Sequence, residues 1–204
     1  MEFQQVLRSR RAVRDFKPDP VPPQILRRLA EAAVQAPSSM NEQPWRFSIV
    51  TDAAMLLAMS SAAKRHLIIC ERVLPKADHF HPLFADPGTH LFHHAPALVV
   101  ISANSENPWA TEDCALAAEN LMLAACDMGL GTCWVGFAQA WLNGREGREM
   151  LDIPLSHHVV APIAVGYPRT PPPPAERRAP DIVWIRKERA NPPAAGAELP
   201  SSPA

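Results

Sequence analysis

Three guanidiniums fall within five residues in Arg10-Arg11-Ala12-Val13-Arg14. A second segment, Ala36-Pro37-Ser38-Ser39-Met40-Asn41-Glu42-Gln43-Pro44-Trp45, gathers small hydroxyls, an amide pair and an indole. The planar guanidinium fork matches a phosphate bidentately, so the first segment can neutralise a phosphorylated ligand. Ser and Asn are short, tolerate turn geometry and can approach a polar, planar heterocycle closely. Taken singly, an arginine pair is a solvated helix end and a Ser/Asn group is a capping turn. Together the two segments predict a grip on a cofactor.

Two other sets of residues could carry chemistry. Six of the eight histidines lie between Lys64 and His94, and His79, His81, His90, His93 and His94 could in principle ligate a metal. No cysteine pair or carboxylate completes a recognisable motif and the spacing is irregular, which favours a solvated or substrate-lining loop. A hydrogen-bonding role for His93 or His94 stays open. Cys133 has no basic neighbour in sequence to depress its pKa and reads as a packing residue.

The elements that must position these groups are legible from periodicity. Pro22-Pro23 opens a run with apolar Ile25, Leu26, Leu29, Ala32, Ala33 and Ala36 at helical spacing, ending at Pro37. Residues 46–51 predict a strand, and Asp52 caps a following helix through Met55, Leu56, Leu57 and Met59. From Lys64 to His94 the pattern weakens to a variable excursion with Pro75, Pro82 and Pro87. Ala97 to Ile101 is a continuous apolar run, as in a strand buried on both faces. Thr111 to Met128 is apolar around most of its circumference and must be buried, in the centre of the fold or against another subunit. Gly129-Leu130-Gly131 stops it, residues 132–137 read as the next strand, and Val159 to Pro168 as another, with Pro162 hinting at an edge or a bulge. Pro171 to Pro174 is a stiff spacer. Ile182 to Ile185 is a lone strand that would add to another subunit's sheet, and Asn191 to Ala204 is a Pro/Ala/Ser-rich tail without a core.

The 204 residues, 47% hydrophobic, suffice for one core, giving one domain over 1–190 and a disordered tail over 191–204. A net charge of -1 leaves no global field to recruit nucleic acid or anionic lipid, so any basic site is local. The four cysteines form no CxxC pair, there is no cationic start with an apolar run, and no stretch approaches the roughly 20 apolar residues of a membrane span. These features predict a soluble, reduced, cytoplasmic protein.

The order of these segments resembles the flavin-dependent nitroreductase family across about residues 6 to 180. The matching pieces are Arg10 to Phe16, Val21-Pro22, Ala36 to Phe47, Asn120, Gly129 to Gly136, and Pro162 to Pro168. The resemblance implies an α+β fold with a central, mostly antiparallel sheet flanked by helices, in an intertwined homodimer with FMN at the subunit interface. It implies that the FMN phosphate is held by Arg10, Arg11 and Ala12, with Arg14 close by. Ala12 departs from the family's serine, so a hydroxyl contact is lost while the backbone N–H remains. A second phosphate-side arginine falls on Arg178, with Arg177 one residue away. Ser38, Ser39 and Asn41 match the turn that reaches the flavin from the partner subunit, and Trp134, Val135 and Gly136 the strand end beside its reactive nitrogen. The implied function is reduction of an electron-poor acceptor, such as a nitroaromatic or quinone, by NADH or NADPH. The flavin does the hydride chemistry, so no catalytic side chain is assigned. Other flavin reactions on the same fold, reductive dehalogenation or flavin fragmentation, and a non-enzymatic metal or flavin carrier, are the alternatives.

Overall fold

The computed structural model describes residues 1–70, 82–104, 106–173 and 175–185. The chain divides into two units, Met1–Pro174 and Ala175–Ala204. In the first, the elements are α1 (Phe3–Ser9), α2 (Pro23–Ala33), β1 (Trp45–Val50), α3 (Ala53–Cys70), β2 (Ala97–Asn104), α4 (Ala110–Asp127), β3 (Gly131–Trp134), α5 (Gln139–Asn143), α6 (Arg145–Leu151) and β4 (His157–Gly166). The strands form one antiparallel sheet in the order β1-β2-β4-β3.

The sheet is the middle of three layers. Ala97, Val99, Ile101 and Ala103 of β2 pack with Leu29 of α2 and with Ala117 and Leu121 of α4. Leu98 and Val100 face the opposite way, onto Met59 of α3 and Leu142 of α5. Successive side chains of a strand point to opposite faces, so a strand covered on both sides must be apolar on both, as β2 is from Ala97 to Ile101. This bears out the expected α+β architecture with an antiparallel sheet between helices.

Local chemistry sets the boundaries. Pro23 stands at the first position of α2, where its missing N–H costs nothing. Asp52 Oδ1 accepts the Met55 N–H at 2.7 Å and caps α3. Beyond α4, Leu130 N–H bonds to Ala125 O at 2.8 Å and Gly129 N–H to Cys126 O at 3.1 Å, with Gly129 at φ 75°. That is the Schellman arrangement, which needs a left-handed residue at Gly129.

Some expectations are corrected. The stretch from Lys64 is not patternless, because α3 continues to Cys70 with Ala63 and Leu67 on its buried side. Lys64-Arg65-His66 masks that periodicity by facing mostly away from the core. Pro162 is not at an edge, since β4 pairs with both β2 and β3. It follows a register shift opposite Ile101 and Ser102, where Val160 and Ala161 both turn to the α2/α4 side. A bulge there is what lets an inner strand carry a proline. The strand expected over 132–137 ends at Trp134 and turns into a 3₁₀ turn at Gly136–Ala138.

In the second unit, 181–185 is irregular and forms no strand, and Ile182, Val183 and Ile185 are exposed. The tail expected over 191–204 lies outside the described residues, as do His79 and His81. No helix among the described residues is long and apolar enough to cross a membrane.

Candidate functional site

The arginine segment runs along the free side of β3. Ala12 bridges Thr132 in parallel fashion, and Val13 N–H bonds to Thr132 O at 2.9 Å. Further on, Lys17 N–H bonds to Tyr167 O at 2.8 Å and Arg169 pairs with Asp15 at 3.1 Å, pinning residues 15–17 to the end of β4. Gly131 makes this possible, because a Cβ there would lie 2.5 Å from Val13 Cγ2. The segment also covers an edge strand that would otherwise present unpaired backbone groups.

Two cavities flank it. One, of about 310 Å³, is lined by Ser9, Arg10, Arg11, Gly129, Gly131 and Thr132 among others. In it Arg10 Nε pairs with Glu119 Oε1 at 3.1 Å. Arg11 Nη1 donates to Arg10 O at 2.7 Å, while Arg11 Nε is buried without a hydrogen-bond partner. A buried donor left unpaired costs about 1–3 kcal/mol, so it marks a place for an acceptor. Arg10 is thus committed to a carboxylate through Nε, whereas Arg11 has no acidic partner among the described residues.

The other cavity, of about 590 Å³, brings together Arg14, His90, His93, Cys133 and the whole of Trp134-Val135-Gly136. Phe137 extends its apolar wall, edge-on to Phe84 with ring centroids 5.0 Å apart. Val135 N–H is already bonded to Pro162 O at 2.8 Å. Gly136 stands where an added Cβ would meet nothing within 4 Å. Burial pushes the His90 imidazole down to about 4, with His94, His93 and Lys64 adding repulsion. Burial likewise lowers His93, with Arg14 second. Both imidazoles are thus held neutral at physiological pH. Nδ1 of His90 faces the N–H groups of Phe92 and His94 at 3.3 and 3.4 Å, which puts its remaining proton on Nε2. Cys133 has the basic neighbour that sequence proximity did not reveal, Arg14, but burial outweighs it and the thiol pKa is raised. Its reading as a packing residue stands.

The loop bearing these histidines is fastened to α3. Ser60 Oγ, itself buried, accepts the Leu91 N–H at 2.7 Å, and Lys64 Nζ donates to Thr89 O at 2.6 Å and Asp86 O at 3.0 Å. Among the described residues no group of three or more His, Cys, Asp or Glu side chains is arranged to hold a metal ion.

Ser38, Ser39 and Asn41 lie elsewhere. Their 3₁₀ turn leads into β1, at the sheet edge opposite β3, and none of its residues lines either cavity. Three strand spacings of about 4.8 Å put those edges about 14 Å apart. Ser38 Oγ accepts the Gln43 N–H at 3.0 Å, and Gln43 Nε2 donates to Asn41 Oδ1 at 3.2 Å. Trp45, in contrast, packs against the α2/α4 core. Arg177 and Arg178 belong to the second unit, where both are exposed in an irregular segment.

Left-handed backbone follows the same geography. Among the described residues, the non-glycine residues with positive φ are Met40, Asn41, Gln43, His93, His94 and Asp152. Asp152 closes α6, and the other five sit in the turn or beside the larger cavity. Strain of this kind is kept where surrounding structure enforces it, commonly at binding sites. Asp113, which holds the turn, was not singled out by sequence, and His90 was weighed only as a metal ligand. The one available signal was an acid on the apolar side of α4, spaced with Ala110 and Ala117.

The Nitroreductase family model matches residues 7–167. A putative NADH dehydrogenase/NAD(P)H nitroreductase of Archaeoglobus fulgidus is 30% identical over 168 residues, covering 82% of this chain and 86% of the relative. The NADH dehydrogenase of Thermus thermophilus is 47% identical over 55 residues, a match that spans 27% of either protein. A crystal structure of a nitroreductase with bound FMN from Bacteroides fragilis superposes with a TM-score of 0.78 at 26% identity, over 91% of this chain and 100% of that one. The chain belongs to the nitroreductase family.

Proposed function

We propose that the protein is an FMN-dependent oxidoreductase that takes reducing equivalents from NADH or NADPH and passes them to an electron-poor acceptor such as a nitroaromatic or quinone, working as a cytoplasmic homodimer. The observation that carries this reading is the buried, partnerless Nε of Arg11, in a cavity at the start of β3, with the apolar cavity of Trp134-Val135-Gly136 at the end of the same strand. A guanidinium for a phosphate and a flat apolar slot beside it are the donor set that FMN requires.

FMN, when bound, supplies the hydride chemistry. The chain's own residues do the rest. Arg11 accepts the phosphate first, since Arg10 is shared with Glu119. Ser9 and Thr132 line the same cavity and offer the hydroxyls that Ala12 lacks. Arg14 places a cation in the larger cavity, where it favours negative charge developing on an electron-accepting ring. Because Val135 N–H is spent on Pro162, the main-chain donor at this strand end is assigned to Gly136, whose missing Cβ permits close approach. Leu83, Phe137 and the neutral histidines keep the cavity poor in water. Ser38, Ser39 and Asn41 are assigned to the flavin of a second copy, and Arg178 to the phosphate side.

Titration of the purified protein with FMN tests the reading. Saturable quenching of flavin fluorescence at one FMN per chain, with oxidation of NADH or NADPH by a quinone, is expected. Arg11→Ala should cost about 1.5–3 kcal/mol of binding, about 10- to 150-fold in Kd, and Arg10→Ala less. No quenching by the wild-type chain would overturn the assignment.

A further inference from the structure

Asp113 stands in the first turn of α4, and its side chain is only 5% exposed. Its two carboxylate oxygens lie 3.1 and 3.2 Å from the backbone nitrogen of Ser39, 74 residues earlier in the chain. The turn it holds is costly to form. Met40 adopts φ 51°, ψ 19°, and Asn41 and Gln43 have φ of 57° and 50°, three left-handed residues within four positions and none of them glycine. Nothing outward repays that strain, because Met40 is 88% exposed. The turn is fastened at its base instead, by the Ser38 hydroxyl from within and by the Asp113 carboxylate from beneath.

We propose that Asp113 is a positioning residue, one that fixes the Ser38–Asn41 turn in the conformation that meets the flavin bound to a second copy of the chain. The inference rests on the functional reading above. A buried carboxylate is an expensive way to cap one N–H, since burying charge costs more than burying a hydroxyl. What it adds is stiffness. A charge-assisted bond at the helix N-terminus, where the helix dipole favours an anion, holds the turn's backbone in one conformation before any ligand arrives. A short, polar, exposed loop would otherwise lose binding energy to ordering itself on contact. The same helix reaches the phosphate cavity: Glu119, six residues further and about 9 Å along the axis, pairs with Arg10. α4 therefore ties the turn offered to the other copy's flavin to the arginines that hold its own.

The experiment is FMN titration of Asp113→Ala and Asp113→Asn, followed by mixed dimers. Asp113→Ala should weaken FMN binding at least tenfold. Asp113→Asn keeps an acceptor oxygen without the charge and should fall between. Destabilisation confined to one protomer could mimic this, so the deciding sample is a dimer purified with one Asp113→Ala chain and one Arg11→Ala chain. One of its sites combines an intact arginine segment with an intact turn, and the other lacks both. Half the wild-type flavin stoichiometry at wild-type affinity is expected, although each parent homodimer binds poorly. If Asp113→Ala does not fold, Asp113→Asn takes its place in the mixed dimer. Wild-type affinity in the Asp113 variant, or a mixed dimer no better than its parents, overturns the proposal. Failure of the wild-type chain to bind FMN would instead remove the functional reading on which it stands.

Discussion

A methyl group added at Gly136 would meet nothing within 4 Å, whereas one at Gly131 would fall 2.5 Å from Val13 Cγ2 and 3.0 Å from Pro168 Cγ. The two glycines therefore separate folding from function. Gly131→Ala pushes the arginine segment off β3 and should cost about 1–3 kcal/mol of stability, read as a lowered denaturation midpoint. Gly136→Ala should leave that midpoint unchanged and raise the Kd for FMN, because its methyl enters the cavity assigned to the cofactor. Equal FMN affinity for Gly136→Ala and wild type would displace Gly136 from the site. His90 gives a pH dependence of known sign. Its folded pKa of about 4 lies below the ordinary 6.5, so between those values the unfolded chain binds more protons. The stability His90 contributes is complete above pH 6.5 and is lost as pH falls toward 4. Urea midpoints at pH 7 and 5 should differ more for wild type than for His90→Gln, which removes the titration.

At the scale of elements, the loop at 86–94 depends on α3. Leu91 N–H has Ser60 Oγ as its partner in a buried setting, and Ser60→Ala leaves that donor unsatisfied at about 1–3 kcal/mol. The expected result is faster hydrogen exchange across 89–94 and a raised KM for the acceptor, with FMN affinity little changed. Exchange identical to wild type would show that Lys64 alone suffices to hold the loop. This dependence was invisible in the sequence, where the histidine stretch looked unanchored. Periodicity identified α2, α4, β2 and β4 because each has a face, or a whole circumference, that must be apolar. It failed over 64–70, where three consecutive polar residues interrupt a helix that still buries Ala63 and Leu67. The arginine and Ser/Asn segments were legible as chemistry. That Arg14 sits in a different cavity from Arg10 and Arg11 was not, since it follows from the segment's pairing with Thr132. Nor could spacing show that Val135 N–H is consumed by Pro162, a residue on the neighbouring strand.

At the scale of the whole molecule, a single chain holds the two halves of its candidate site at opposite edges of one sheet. The Ser38–Asn41 turn enters β1 and the Trp134–Gly136 strand end leaves β3. The proposed homodimer would resolve this, because each copy's turn could then serve the other's cavity. Apolar side chains left in solvent fit such a pairing: Phe3 and Leu7 on α1, which packs on α4, and Leu116 on α4 itself. Leu116 is 47% exposed and flanked at helical spacing by Glu112 and Glu119. Leu116→Arg should therefore be benign for the isolated chain, within about 0.5 kcal/mol for a surface change and aided by pairing with Glu112 one turn earlier. In an interface it would bury a cation from each copy. The expected outcome is a folded monomer by sedimentation equilibrium that has lost most of its FMN affinity, set against a wild-type dimer that retains it. A wild-type chain that is monomeric at the concentrations where it binds FMN tightly would show that one copy closes the site unaided, and the turn at Ser38–Asn41 would then need another role.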